Sequence, residues 1–356
     1  MCNYLVTLMT NIHDLKMPCD PLRIDDFLSE PSPAVVQAAS SMSAPVGVLG
    51  AGGKMGLHLA VMLRKALDRA GRPEVPVYAV SRFGSLRSRE EFERFGVQAM
   101  AADLLDSVAL EALPDMGTVF FLAGIKFGTG SDKASLQRFN EEMPNMVARR
   151  FRSAVIVALS TGCVYPFAAV ESSGCAEDVE PAPPGAYAQS CRGRELAFEK
   201  VSLETGAPVV LIRLNYSVEF RYGVLTDIAL NILKGEDVDV STGWVNVIWQ
   251  RDAVDQIILS SQIAASPALP LNITGSPAVS VRVLAEGFGS LLQKPVGIVG
   301  SEAGSAWLND ASKSHALFGA PAVNTNSMME WIAAWLLAGG ATHGKPTKFE
   351  TRDGKF

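Results

Sequence analysis

Short, largely apolar runs alternate with longer amphipathic segments from residue 45 onward. The apolar runs have strand length: PVGVLG, VPVYAVS, VQAMAA, TVFFLA, SAVIVALS and PVVLIRL. Strands that are buried on both faces have this pattern, because helices cover both sides of a parallel sheet. The stretches between them, such as MGLHLAVMLRKALDRAG and YAQSCRGRELAFEKVSLETG, have helical spacing. This order predicts an α/β fold with a doubly wound parallel sheet.

After residue 215 the alternation of predicted strands and helices becomes less regular. We therefore expect a dinucleotide-binding domain over residues 45–215 and a smaller, mixed α/β substrate-binding region over residues 216–340. Some elements of the second region are expected to return to the sheet. Residues 1–44 are expected to form an extension with one short helix that has Pro33 in its first turn. Residues 341–356 are expected to be a polar tail on the surface.

A glycine-rich loop, VGVLGAGGKMG, lies between the first predicted strand and helix and places Gly50, Gly53 and Gly56 at regular spacing. Glycine allows a tight turn, a close backbone approach to a pyrophosphate and close packing of helix on strand. The helix that follows offers free N–H groups to the phosphates. The loop predicts a dinucleotide site of Rossmann type, which includes Lys54 and Met55.

The second predicted strand ends at Ser81 and is followed by Arg82, with no carboxylate nearby. An acidic residue at this place favours the free 2′-hydroxyl of NAD, whereas an arginine accommodates the 2′-phosphate of NADP. We expect both residues to contact the cofactor and NADP to be preferred, with NAD as the alternative.

Composition and charge exclude several classes of protein. A net charge of −6 gives no electrostatic reason to bind nucleic acid or an anionic membrane surface. Five cysteines and four histidines without a C-x-x-C pair or a cluster argue against a metal site. The start, MCNYLVTLM, is apolar but lacks the basic residues of a signal peptide, and no span is long enough to cross a membrane. We therefore expect a cytoplasmic location.

Further motifs follow in a fixed order: AADLLD, FLAGIKFG, LSTGCVYP, AYAQSCRGRE and RLNY. Together with the glycine loop, they resemble the extended short-chain dehydrogenase/reductase family of sugar-nucleotide epimerases, dehydratases and related enzymes, over about residues 45–340. The resemblance implies additional cofactor contacts at Asp103, Leu104, Ala123, Gly124 and Lys126.

The same resemblance implies that Ser160, Thr161 and Tyr187 are catalytic, with Tyr187 also touching the cofactor. A tyrosine hydroxyl has an ordinary pKa of about 10, so it needs nearby positive charge to act as a base at neutral pH. The family has a lysine four residues after the tyrosine, but this chain has Cys191. Lys126, after the fourth strand, is the favoured substitute for part of that charge, ahead of Arg192, which lies off the Tyr187 face of the helix. Cys191 is interpreted as a packing residue rather than a nucleophile.

The substrate contacts expected from the resemblance are Tyr165 and Asn215. Arg221 and Tyr222, which follow shortly after Asn215, are further candidates because their side chains can recognise a carboxylate or hydroxyls. The Y-G-P continuation of the family's R-x-x-N motif is missing, and Val245 stands near the place of an arginine that grips a diphosphate. Both departures favour a substrate without a diphosphate.

We therefore expect an NAD(P)-dependent oxidoreductase or epimerase that transfers hydride with a small hydroxylated substrate, such as a sugar, sugar acid or polyol. Net oxidation, net reduction and epimerisation stay open, whereas elimination is disfavoured because Gly162 and Cys163 follow Thr161 in place of acidic residues. One alternative is a catalytically silent NADP(H)-binding regulatory protein, which the absent lysine favours. Another is a non-redox isomerase or lyase that uses Tyr187 as acid or base. Family members often dimerise through the Tyr187 helix, which implies a homodimer.

Overall fold

The computed structural model describes residues 23–84, 86–125 and 132–352. The strands are β1 (Val46–Leu49), β2 (Val77–Ser81), β3 (Gln98–Ala101), β4 (Thr118–Phe121), β5 (Val155–Leu159), β6 (Ala168–Ala169), β7 (Val209–Leu214), β8 (Ser217–Val218), β9 (Val238–Asp239), β10 (Trp244–Val245), β11 (Ile248–Trp249), β12 (Leu269–Ile273), β13 (Val279–Ser280), β14 (Ile298–Val299) and β15 (Ser305–Ala306). The α-helices are α1 (Ile24–Leu28), α2 (Pro33–Ser41), α3 (Gly56–Arg69), α4 (Arg89–Glu93), α5 (Ser107–Glu111), α6 (Lys133–Gln137), α7 (Met143–Arg150), α8 (Gly185–Thr205), α9 (Val224–Lys234), α10 (Gln250–Leu259), α11 (Val281–Leu292), α12 (Ser312–Phe318) and α13 (Thr325–Leu337).

Seven strands form the central sheet in the order β12-β7-β5-β4-β1-β2-β3, and every neighbouring pair is parallel. All residues of β1 and β4 are buried, as expected for central strands that helices cover on both faces. The strand order reverses on either side of β1, which places the loops after β1 and β4 beside each other at the carboxyl edge. The predicted Rossmann-type α/β fold is confirmed.

The N-terminal extension contains two helices in the described range, where the sequence predicts one. Helix α2 begins with Pro33, and Ser32 caps it by accepting the Val35 N–H at 3.2 Å. Ser32 is itself held by Asp255 of α10, 2.8 Å from its hydroxyl. Helix α1 is a separate short turn because Pro31 and Pro33 interrupt the segment between them.

The C-terminal region packs around a second core of its own. Helices α9, α11 and α13 enclose an aromatic group in which Phe220 contacts Trp249, Trp331 and Trp335. Strand β12 leaves this region and joins the central sheet beside β7, with Leu269 opposite Val210. The region is therefore tied to the sheet through its outermost strand, beside β7.

Within the described residues, no helix is long and apolar enough to span a membrane. The same part of the chain contains no group of three or more metal-ligating side chains that could hold an ion.

Candidate active site

The glycine-rich loop connects β1 to α3 at the carboxyl edge of the sheet. Gly50 has a φ of +83°, and a Cβ atom there would lie 2.5 Å from the Ala123 backbone nitrogen after β4. A Cβ atom at Gly56 would collide with the backbone of Ala51. Close packing of protein backbone therefore requires glycine at two of the three predicted positions.

Gly53 has a different environment. A Cβ atom there would meet only the Gly50 carbonyl oxygen, at an ordinary 3.5 Å. Helix α3 begins just beyond, and its N-cap residue, Met55, supplies no side-chain hydrogen bond to the first turn. The space beside Gly53 and the free N–H groups of α3 form a cradle for an anion. These residues fit the pyrophosphate of a dinucleotide.

Two clefts meet at this loop, because Gly50, Gly53 and Leu122 line both. The first has a volume of about 370 Å³ and the second about 330 Å³. The first is lined by the predicted cofactor contacts Ser81, Arg82, Asp103, Leu104, Ala123 and Gly124. The second is lined by Lys54, Met55, Gly56, Ser160, Thr161, Tyr187, Asn215 and Tyr222. A ligand with two ends could therefore lie across the edge of the sheet.

Arg82 stands at the outer end of the first cleft. Its side chain is 62% exposed, and its guanidinium lies 3.9 Å from a carboxylate oxygen of Asp103. It also lies over the Phe139 ring, 5.4 Å from the centroid. Arg82 therefore carries an accessible positive charge at the first cleft, and the nearby Asp103 partly offsets it.

Tyr187 and Cys191 lie on one face of α8, one turn apart. Cys191 is fully buried and forms a hydrogen bond with Tyr187. Burial raises the pKa of Tyr187 well above its ordinary value, and the negative form of Cys191 would raise it further. Burial also raises the pKa of the Cys191 thiol, so this cysteine is neutral and supplies no charge.

Ser160 and Thr161 follow β5 and contribute hydroxyl groups to the second cleft. Ser160 donates its hydroxyl to Glu195 at 2.6 Å. Thr161 accepts the Cys163 N–H at 3.2 Å, which leaves its own O–H free to donate into the cleft. Thr161 is therefore the better placed of the two to hold a substrate oxygen.

Tyr165, a predicted substrate contact, lines neither cleft. Its side chain is 1% exposed, donates to Asn272 at 3.0 Å and accepts from Arg213 at 2.7 Å. Arg213 also forms a two-point ion pair with the buried Glu195. Tyr165 therefore belongs to an interior polar network behind the site, which fixes β5, β7 and β12 relative to α8.

Arg221 also lies away from both clefts, contrary to prediction. Its guanidinium is held by Asp25 of the N-terminal extension at 2.9 Å and by Glu219 at 3.0 Å. Burial opposes ionisation of Asp25, but the hydrogen bond to His58 and the charges of His58, Arg221 and Arg87 outweigh it and hold its pKa well below the ordinary range. Arg221 therefore clamps the extension to the C-terminal region.

Asn215, Tyr222 and Lys54 do line the second cleft. Asn215 donates to Asn246 at 2.8 Å and to the Trp307 carbonyl at 3.0 Å, so its amide nitrogen is committed to the fold. The Lys54 ammonium lies 3.0 Å from the centroid of the Tyr222 ring. Tyr222 thereby holds the cation of the glycine loop within the second cleft.

Part of the C-terminal segment packs against the second cleft and the C-terminal core. Thr347 lines the cleft and holds Asp227 through both its N–H, at 2.7 Å, and its hydroxyl, at 2.6 Å. Phe349 is 5% exposed in the C-terminal core, and Arg352 donates to the Ser305 carbonyl at 2.6 Å. Sequence reasoning missed these contacts because the segment is polar and Thr347 and Arg352 bond residues far away along the chain.

Lys126 and Arg192 are the two residues predicted as possible substitutes for the positive charge of the family's lysine. Lys126 lies outside the described residues. Arg192 points to Glu195 and Glu199, at 3.0 and 2.7 Å, as its angle on the helix predicted. Sequence reasoning missed Arg194, a buried cation seven residues after Tyr187; that spacing, two helical turns, was the available signal.

No protein-family model matches the sequence, and no curated protein matches it. Solved structures do resemble this fold. MoeE5 in complex with UDP-glucose and NAD has a TM-score of 0.68 at 20% identity, covering 83% of this chain and 99% of that one. The UDP-glucose 4-epimerase of Thermus thermophilus in complex with NAD has a TM-score of 0.67 at 17% identity, covering 81% and 97%.

The UDP-glucuronic acid 4-epimerase of Bacillus cereus in complex with NAD is similar to the same degree, with a TM-score of 0.68, 18% identity and 82% and 98% coverage. At such identities the likeness shows the fold alone. This chain has the Rossmann-type fold of these three structures, so the fold that the sequence resemblance implied is confirmed.

Proposed function

We propose that this protein is an NAD(P)-dependent oxidoreductase or epimerase that acts on a small hydroxylated substrate. One observation carries the proposal: the hydroxyl-bearing residues Thr161 and Tyr187 line the same cleft as the glycine loop. The structurally similar proteins have NAD bound, and two of them are epimerases by name, which supports the same assignment.

Gly50, Gly53 and the start of α3 would hold the dinucleotide, with its adenosine toward Ser81 and Arg82. When bound, it would supply a hydride acceptor or donor at C4 of the nicotinamide. Thr161 would donate a hydrogen bond to the reacting substrate oxygen and hold it in place. Tyr187 would take the proton of a substrate alcohol as the C–O bond becomes C=O, and return it in the reverse step.

A small substrate fits the second cleft better than a nucleotide sugar. About 330 Å³ is near the lower end for ligand sites, which span roughly 300–1,000 Å³, and part of this volume must hold the nicotinamide. Thr347 closes one side, and among the described lining residues Lys54 is the sole charged side chain. The other polar groups of the lining are mainly hydroxyls: Ser160, Thr161, Tyr187, Tyr216, Ser217, Tyr222 and Thr347. This lining favours a sugar, sugar acid or polyol.

NADP is the cofactor that we propose, because Arg82 offers an accessible cation beside the adenosine end. NAD stays the alternative, since Asp103 lies beside Arg82. Lys126 keeps its proposed role as a cofactor or substrate contact on sequence grounds. A homodimer is proposed through α7 and α8, where Leu196 and Leu203 are 50% and 67% exposed. The cytoplasmic location stays a prediction.

A silent dinucleotide-binding regulator is the second candidate. The specific observation in its favour is that burial raises the pKa values of both Tyr187 and Cys191. Neither group therefore loses its proton easily enough to act as a base.

Binding and turnover measured together separate the two candidates. We expect NADPH to quench tryptophan fluorescence, and a panel of aldoses, ketoses, sugar acids and polyols to yield a redox change or an epimer. Cofactor binding without conversion of any panel member, in the wild type and in Cys191→Lys, would favour the regulator. Absence of binding would refute both.

A further inference from the structure

Arg194 occupies the same face of α8 as Tyr187 and Cys191. It lies seven residues after Tyr187, which is almost two full turns, and three after Cys191. Helical side chains lean toward the helix N-terminus, so the long Arg194 side chain is directed toward the other two. The residue is 7% exposed.

The Arg194 charge has no carboxylate partner among the described residues. Its two terminal nitrogens donate to the Leu159 carbonyl at 2.9 Å and to the Asn140 side-chain oxygen at 2.8 Å, while its Nε has no partner. By contrast, the buried charge of Arg213 is neutralised by a two-point ion pair with Glu195. Burying a cation without a counter-charge lowers the stability of the folded protein. We therefore expect the charge of Arg194 to have a function that offsets this cost.

The surrounding backbone is arranged to admit this guanidinium. Gly124 has a φ of +156°, and a Cβ atom there would collide with an Arg194 terminal nitrogen. Asn140, which accepts from Arg194, lies in a π-helical turn over Arg138–Glu142 and also bonds both backbone groups of Ile125, at 3.1 Å. Such turns frequently occur at functional sites.

These contacts place the cation where the two clefts meet. Leu159 precedes Ser160 and lines the second cleft, and Gly124 lines the first. Arg194 bonds the carbonyl at the end of β5 and lies beside Gly124 after β4, but it lines neither cleft. Its charge therefore lies next to this edge of the sheet without the guanidinium entering either cavity. The positive charge favours the ionised forms of both Tyr187 and Cys191, against the effect of burial on their pKa values.

We propose that Arg194 is a positioning residue that supplies the positive charge for proton transfer at Tyr187, from two turns further along α8. This inference rests on the proposed function. In this proposal the positive charge near Tyr187 comes from the buried side chain of Arg194, whereas the neutral Cys191 contributes none.

A positive charge beside the nicotinamide can be detected from cofactor binding alone, without a measurement of turnover. The oxidised ring is positively charged and the reduced ring is neutral, so a nearby cation weakens binding of NADP⁺ relative to NADPH. In Arg194→Met, we expect the ratio of the Kd for NADP⁺ to the Kd for NADPH to fall roughly tenfold. Arg194→Lys should stay near the wild-type ratio, and Arg194→Met/Cys191→Lys should restore it.

The control is Lys200→Met, which removes an exposed cation of the same helix and should leave the ratio unchanged. A parallel change of both Kd values in Arg194→Met, with Arg194→Lys behaving alike, would show a purely structural role and overturn the proposal. An unchanged ratio would overturn it as well. If Arg194→Met fails to fold, the polar Arg194→Gln takes its place: a fall in the ratio supports the proposal and an unchanged ratio refutes it. If the wild type binds neither dinucleotide, the proposed function fails and this inference with it.

Discussion

The two clefts at the edge of the sheet are built in different ways. The first is lined by predicted cofactor contacts that lie at or just after the carboxyl end of a parallel strand or belong to the glycine loop: Gly50, Gly53, Ser81, Arg82, Asp103, Leu104, Ala123 and Gly124. In the second, Asn215 and Tyr222 line the cavity as predicted, while Tyr165 and Arg221 are buried in networks behind it. Residues that line the first cleft can thus be predicted from the ends of the strands. Residues that line the second cleft depend on which segments, distant along the chain, pack together.

Tyr187→Phe tests the chemistry of the second cleft and should have the largest effect. Removing the hydroxyl removes the proposed proton acceptor, so turnover should fall about 10²- to 10⁴-fold while the Kd for NADPH stays the same. The measurement is steady-state turnover of the substrate found in the panel, beside fluorescence titration with NADPH. Tyr78→Phe, on strand β2 away from both clefts, is the matched control. Turnover within about threefold of wild type would remove Tyr187 from the mechanism.

Asp25→Asn tests the clamp that takes Arg221 out of the second cleft. Breaking this largely buried ion cluster should cost about 3 to 5 kcal/mol of unfolding free energy at pH 7. The pKa of Asp25 is lowered in the folded state, so its stabilisation is present above the ordinary value of 3.8 and is lost as the pH falls below it.

The difference between wild type and Asp25→Asn, measured by urea unfolding, should therefore shrink at acidic pH. The neighbouring Asp26→Asn, a half-exposed carboxylate paired with Lys65, should cost about 1 kcal/mol or less. Equal losses in the two variants would contradict the special role of Asp25.

Gly53→Ala tests whether the first cleft is shaped for a ligand rather than for packing. Space exists for the added methyl group, so thermal stability should be unchanged, yet the Kd for NADPH should rise roughly tenfold as the pyrophosphate loses its close approach. Gly304→Ala, at a site with no neighbour within 4 Å, is the control for both measurements. Unaltered NADPH binding in Gly53→Ala would place the phosphates elsewhere.

Arg82→Ala tests the choice of cofactor and should have the smallest effect. Loss of the exposed cation should weaken NADP binding by up to roughly tenfold and leave NAD binding nearly unchanged. Arg89→Ala removes another half-exposed arginine, on α4, as the control. A parallel loss for both dinucleotides would mean that Arg82 does not read the 2′-phosphate.

The parts of the molecule that sequence could predict are those fixed locally. The apolar runs located nearly every strand of the central sheet, and the glycine spacing located the loop, because both depend on neighbouring residues. Arg221 and Thr347 escaped prediction because their positions depend on Asp25 and Asp227, which lie far away along the chain. Boundaries at residues 44, 215 and 340 stay predictions, as do the catalytic roles.

The central claim is that one dinucleotide spans both clefts, with its nicotinamide beside Thr161 and Tyr187. A crystal structure of the protein with NADPH tests this most directly. We predict the adenosine between Ser81 and Asp103, the pyrophosphate at Gly53, and the nicotinamide facing Tyr187 across from Thr347. A dinucleotide whose nicotinamide lies outside the second cleft would contradict the account.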